Sequence, residues 1–163
     1  LGRKHQVATI QLDFVQPKRF ELTCVNEKGE KEDVVMLHVA IMGSIERFLS
    51  VMIEHFAGHF PVWLAPVQVK IVPIGERQVD YAHDVYTKMK AAGIRAQVDQ
   101  SGESLGKKVR LAKTDKIPYV LVIGDKEIES GLLALETKDG KKEAVNLDTM
   151  IDNLKKEISV RSL

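Results

Sequence analysis

Three side chains near the start of the chain, Gln6, Thr9 and Gln11, carry hydrogen-bond donors and acceptors without charge. They sit among Val7, Ile10 and Leu12, so one side of a strand can present them to a small polar ligand; an ordinary half-exposed strand has the same pattern. His38 lies in an apolar run. A catalytic zinc site needs about three protein ligands, and neither Cys24 nor the other histidines has ligand spacing to His38, which makes a satisfied core histidine the simpler account. Arg47 falls in the first turn of an amphipathic helix, where a cation works against the helix dipole. Either a nearby acid pairs with it or it serves a ligand. Further along, Lys107, Lys108, Arg110 and Lys113 give one short helix a basic face suited to nucleic-acid phosphates, and Glu127 offers an acceptor for base-edge donors. A solvated lysine face would be spelled the same way.

The elements that must position these residues follow from periodicity. Residues 5–14 alternate as a strand that Pro17 ends, and Leu22 to Asn26 is a second short strand. Residues 27–33 form a charged turn, and Val34 to Ile41 is expected as the partner strand, apolar enough to be buried on both faces. Ser44 can cap the next helix, whose apolar face is Ile45, Phe48, Leu49, Met52, Ile53 and Phe56. Gly58 stops it. The stretch 59–66 carries Pro61 and Pro66, which a regular helix cannot hold, and the domain boundary is expected there.

Beyond it the pattern becomes strands and helices in turn. Strands are expected at 67–74, 94–98, 117–123 and 132–137, with Asp139-Gly140 as a turn. Helices are expected at 77–92, stopped by Gly93, at a short segment opened by Glu103 or Ser104, and at a final segment capped by Asp148. The fold class is therefore α/β, with a mixed five-stranded sheet flanked by helices behind an antiparallel piece.

Composition bounds the rest. The 163 residues carry a formal net charge of +1, so bulk charge does not announce a nucleic-acid binder and any basic surface must be local. One cysteine excludes an internal disulfide framework and fits a reducing, cytoplasmic setting. No apolar run is long enough to span a bilayer, and the first residues do not read as a secretory signal. The lack of an initiator Met is expected of a fragment or a processed chain.

Two stretches resemble a known family. The run from Leu37 to Phe48 closely resembles motif 3 of class II aminoacyl-tRNA synthetases in the threonyl-tRNA synthetase form, and residues 6–14 resemble the segment that lines the adenylate pocket of that family. The resemblance implies that Gln6, Thr9 and Gln11 contact substrates and that Gly43 lets the backbone approach the nucleotide, with Ser44 in the same pocket. It implies that Arg47 lies on ATP, a task suited to a planar, permanently charged guanidinium. It also makes His38 one of three zinc ligands, the others lying upstream of this chain, with zinc taking the amino and hydroxyl groups of threonine. Where the family usually has Arg after that His, this chain has Val39, which would remove a charge from the site.

From residue 67 on, the segments Ala92–Arg95, Leu105–Arg110, Ile117–Tyr119 and Gly124–Glu127 are similar to the anticodon-binding domain shared by the threonyl, prolyl, glycyl and histidyl enzymes. Arg110 and Glu127 match positions that read anticodon bases. Gly102 and Glu136 stand where members of the family have Asn and Arg. The resemblance thus implies residues 1–60 as the last part of a class II catalytic domain, 61–66 as a linker and 67–163 as an anticodon-binding domain. The implied enzyme uses ATP, Mg²⁺ and Zn²⁺ to join threonine to threonine tRNA, as a homodimer with no membrane partner. This chain alone is expected to be inactive, with strands that lose sheet partners. The rival expectations are a tRNA-binding paralogue or accessory module without aminoacylation, and a protein-interaction domain on the same fold.

Overall fold

The computed structural model describes residues 2–163, which divide into two compact units, one ending at His55 and the other running from Phe56 to Leu163. The first unit holds β1 (Ala8–Asp13), α1 (Gln16–Arg19), β2 (Thr23–Val25), β3 (Lys31–Asp33), β4 (Met36–Ile41) and nearly all of α2 (Ile45–Phe56). The alternating segment of the sequence is β1, and it pairs antiparallel with β4, Gln11 opposite His38 and Thr9 opposite Ala40.

Here the strand pairing differs from the sequence expectation. The expected strand 34–41 does not close a hairpin with Leu22–Asn26; the short β3 does, Cys24 opposite Glu32. Nor is β4 buried on both faces. Leu37 is 61% and Ile41 76% exposed, and the apolar face of α2 is open at Ile45 and Ile53. Two-stranded sheets cover neither of their own faces, and Pro17 is the one fully buried residue among those described in this unit.

The second unit is built on a five-stranded mixed sheet in the order β6 (Ala96–Val98), β5 (Val69–Pro73), β7 (Tyr119–Ile123), β8 (Leu132–Thr137), β9 (Lys142–Asn146). The first three strands run parallel and the last two join antiparallel. The parallel part needs crossovers, which α3 (Val79–Ala91) and α4 (Leu105–Thr114) supply. Ile71, Leu121, Ile123 and Leu133, all at 0% exposure, pack one sheet face against Met89 of α3 and Met150 and Leu154 of α6 (Leu147–Val160). Each such aliphatic side chain contributes about 1.5–3 kcal/mol on burial, so the stability of the described chain resides mainly in this unit. On the other face Val72 and Val120 meet Ala112 and Val109 of α4. Tyr119 ties the sheet to α6 through its hydroxyl, which donates to Glu157 at 3.0 Å; burial first, and the Glu157 charge second, push that phenol well above its ordinary value.

Several boundaries move. The expected helix 77–92 begins as a 3-10 turn, Glu76–Gln78, before α3. The final helix is capped by Asn146, whose side chain accepts from the Asp148 N–H, rather than by Asp148. The short α5 (Asp125–Ser130) was not foreseen; the Glu127 carboxylate holds its first turn by accepting from the Gly124 N–H at 2.8 Å. Residues 61–66 pack into this unit: Val62 and Ala65 are buried, and the Arg95 guanidinium donates to the Ala65 and Trp63 carbonyls at 3.0 and 2.9 Å.

Candidate functional site

In the first unit, Gln6, Thr9, Gln11, His38, Ser44 and Arg47 all line one cavity of about 600 Å³. The antiparallel register does this: Thr9 and Gln11 face the same side as Ala40 and His38 because directly opposed residues share a sheet face. Gln6 precedes β1 rather than lying on it, and joins the face through a hydrogen bond, its amide donating to the Thr9 hydroxyl at 2.6 Å. Gly43 closes the rim with φ +62, a left-handed turn that favours glycine, and a Cβ there would sit 3.6 Å from the Gln6 carbonyl.

Two cations and one acid decide what the cavity can hold. No acid pairs with Arg47 among the described residues; its sequence neighbour Glu46 instead accepts from the Ser44 hydroxyl at 2.6 Å. That bond, with the Glu46 N–H, holds the Glu46 carboxyl below its usual range. The guanidinium therefore remains available for an anionic or aromatic ligand. Ser44 spends its hydroxyl on Glu46.

His38 has a partner that the sequence reading missed. Its Nε2 lies 3.0 Å from Asp13 Oδ2, while Asp13 Oδ1 accepts from the Val15 and Gln16 N–H groups at 2.8 and 2.9 Å. Those two N–H bonds, Gln16 first, and His38 after them hold the carboxyl below its usual range. An ionised carboxylate only accepts, so Nε2 carries the proton and a neutral ring leaves its lone pair on Nδ1. The signal was legible: Asp13 follows Thr9 and Gln11 at the same period of two.

For zinc, the donor set does not close. Among the described residues no three His, Cys, Asp or Glu side chains stand together as a metal site, and Cys24 is on β2, 3.7 Å from Glu32. His38 supplies one nitrogen. Val39, by contrast, takes nothing from the cavity's polar wall: it is opposite Ile10, so its side chain lies on the sheet face away from His38.

The second unit brings the anticodon-type residues to two places. On α4, Lys107 is exposed and paired with Glu103 at 2.7 Å, and Arg110 and Lys113 share an exposed face with Gly106. Lys108 does not belong to that face. It is 5% exposed, its ammonium donates to the Pro73 carbonyl at 3.2 Å, and with Gly102 it lines a cavity of about 260 Å³. The helix phase explains this, since Leu105, Lys108 and Ala112 stack on the inward side.

Glu127 lines a different cavity of about 410 Å³. Its floor is the sheet face of β7–β9 that α4 leaves uncovered, Val122 beside Ala134 beside Ala144. Glu136 stands on the same floor, 7% exposed, with Lys113 on one oxygen and Lys142 at 3.9 Å from the other. One Glu127 oxygen is spent on Gly124, which leaves the other for a ligand. An apolar floor edged by acceptors and cations suits a stacked planar ring that carries hydrogen-bonding edges.

Comparison with known proteins places this geometry. Residues 68–157 match the family described as "Anticodon binding domain", and residues 1–56 match the "tRNA synthetase class II core domain (G, H, P, S and T)". The chain is 55% identical over 150 residues to a threonine–tRNA ligase of Citrifermentans bemidjiense, covering 92% of this chain and 23% of that protein. It is 47% identical over 164 residues to the threonine–tRNA ligase of Caldanaerobacter subterraneus, covering 100% of this chain and 26% of the relative. The crystal structure of the RNA binding domain of threonyl-tRNA synthetase from Cryptosporidium parvum matches with a TM-score of 0.82 at 34% identity, covering 95% of this chain and 40% of that one. The chain spans about a quarter of the length of the curated relatives it matches. Likeness along its length, a class II core match in its first unit and an anticodon-domain match in its second lead to one assignment: the chain belongs to the anticodon-binding-domain family, in the form that threonine–tRNA ligases join to a class II synthetase core.

Proposed function

We propose that this chain serves a threonine–tRNA ligase, supplying recognition of the anticodon loop of threonine tRNA and part of an adenylate pocket. The observation that carries the reading is the meeting of Gln6, Thr9, Gln11, His38, Ser44 and Arg47 around one cavity. A protein that only bound RNA through its second unit would have no physical need for that set.

In this reading Gln6, Thr9 and Gln11 orient the polar groups of the substrate, and Arg47 lies against ATP, its charge stabilising negative charge that develops on phosphate. Ser44 acts through Glu46 at the cavity edge. Mg²⁺, when bound with ATP, neutralises phosphate charge. The residues of this chain do not complete a zinc site, so no step is drawn through zinc; His38 would contribute Nδ1 to one. The division of labour falls at the Pro-bracketed stretch 61–66, residues 1–60 on the catalytic side and 67–163 on the anticodon side. Arg110 and Lys107 meet phosphates on the exposed face of α4, and Glu127 reads a base edge. Threonine, ATP and threonine tRNA are then the partners, in a homodimeric cytoplasmic enzyme. Among the described residues no helix is long and apolar enough to cross a membrane.

The test is a titration of the chain with threonine tRNA and with the same tRNA carrying a swapped anticodon, at two salt concentrations. Tighter binding of the native anticodon, weakened by salt as phosphate contacts require, supports the reading. Equal affinity for both RNAs would sink it.

A further inference from the structure

The Lys113–Glu136 pair offers a chemistry that the proposed function does not assign. Glu136 is a charged side chain on the floor of the 410 Å³ cavity and is almost fully buried. Its register explains the burial: it lies between Val120 of β7 and Lys142 of β9 on the α4 side of the sheet. Lys113 reaches it from α4 and touches one carboxylate oxygen. The second oxygen has only Lys142 near it, at 3.9 Å, beyond hydrogen-bond range. The pair therefore sets an ammonium with spare donors beside a carboxylate with spare lone pairs, both held at one edge of an apolar floor.

Such a pair is a reading head for one order of groups on a planar ligand: an acceptor opposite Lys113, then donors opposite Glu136. Single-stranded RNA loops present their bases by splaying them onto protein surfaces, where the Watson–Crick edge is read. Guanine shows O6, N1–H and N2–H₂ in that order and satisfies both partners. Uracil matches at O4 and N3–H but then sets its O2 against the carboxylate. Adenine and cytosine place an amino group against the ammonium and a bare ring nitrogen against the carboxylate, leaving buried groups unpaired. We propose that Glu136, with Lys113 beside it, is a specificity-determining residue that makes this cavity select a guanine of the anticodon loop. The proposal rests on the anticodon-binding reading given above and names the base edge that reading leaves open.

Inosine separates this role from a purely structural one, because it differs from guanine only in lacking the N2 amino group. The experiment measures binding of the full chain to hairpins carrying the threonine anticodon loop, with each anticodon guanine replaced in turn by inosine, and to a scrambled loop. At one position the replacement should weaken binding by about tenfold, the scale of a lost base-edge contact in a bidentate pair. Glu136→Gln, folded by circular dichroism, should bring the guanine and inosine hairpins to within about twofold of each other at that position. A wild-type chain that binds guanine and inosine alike at every position overturns the proposal, whether or not the variant folds. So does a folded Glu136→Gln chain that keeps the tenfold ratio. If the scrambled loop binds as well as the native one, the anticodon reading itself falls; anticodon dependence without a guanine–inosine difference removes only the assignment of Glu136.

Discussion

The Asp13 carboxylate bridges a turn and a histidine: one oxygen accepts from the Val15 and Gln16 N–H groups, and the other meets His38 Nε2 at 3.0 Å. Because the turn fixes the carboxylate, the carboxylate fixes the imidazole. Second groups of this kind commonly decide which ring nitrogen is free. The imidazole ¹⁵N shifts of His38 should report the Nε2–H tautomer in the wild-type chain and a mixture in Asp13→Ala. A dominant Nδ1–H tautomer in the wild type would contradict the geometry.

Two adjacent lysines should respond oppositely to mutation. Lys108→Met removes a buried donor from the Pro73 carbonyl and a positive charge near Asp99, and should lower stability by about 1–3 kcal/mol. Lys107→Met, on the exposed side and paired only with Glu103, should leave the melting temperature within a degree or two. It should also reduce the salt slope of RNA binding by about one unit. Denaturant titration of both variants, beside RNA binding at several salt concentrations, checks the pair. Equal stability losses would refute the inward placement of Lys108.

Asp99 gives the second unit a defined acid limit. Burial works against its charge, but the Ser101 hydroxyl and N–H, with Lys70 and Lys108, outweigh that and hold the carboxyl below its ordinary value of 3.8. A carboxyl depressed in the folded state binds fewer protons than in the unfolded state, so its contribution is complete above that ordinary value and fades as pH falls below it. The stability difference between wild type and Asp99→Asn should therefore be constant from pH 7 to about 5 and shrink below about pH 4. A difference that grew on acidification would reverse the assignment.

Arg95 should control the integrity of residues 61–66. Its guanidinium donates to the Ala65 and Trp63 carbonyls, and the Gln68 side chain holds the Val62 carbonyl at 2.8 Å. Arg95→Ala leaves carbonyls without donors, at about 1–3 kcal/mol for each buried one. Limited proteolysis should then cut within 61–66 at protease levels that leave the wild type intact; unchanged cleavage kinetics would show that the clamp is dispensable.

Much of this protein was legible before any coordinates. The apolar runs at 69–73 and 119–123, with helical stretches between them, specify strands buried on both faces, because only covered parallel strands tolerate such continuous hydrophobicity. Gly93 at φ +82 ends the helix that its sequence position marked. The polar set from Gln6 to Arg47 could be picked out by residue type and resemblance, since short polar side chains at fixed strand spacing are local information.

What the sequence alone left open depended on partners distant in the chain. Whether strand 36–41 would pair with its near neighbour or with 8–13 is a choice between competing ladders, decided by register across some thirty residues. That choice put His38 beside Asp13 and turned Val39 to the opposite face. On α4 the charge run reads as one basic surface until the sheet arrives; then Lys108 lies beneath the helix and Lys113 reaches Glu136 on β8. Residue type and spacing determined which groups were available. Strand pairing and helix packing, which no local pattern encodes, determined which of them meet.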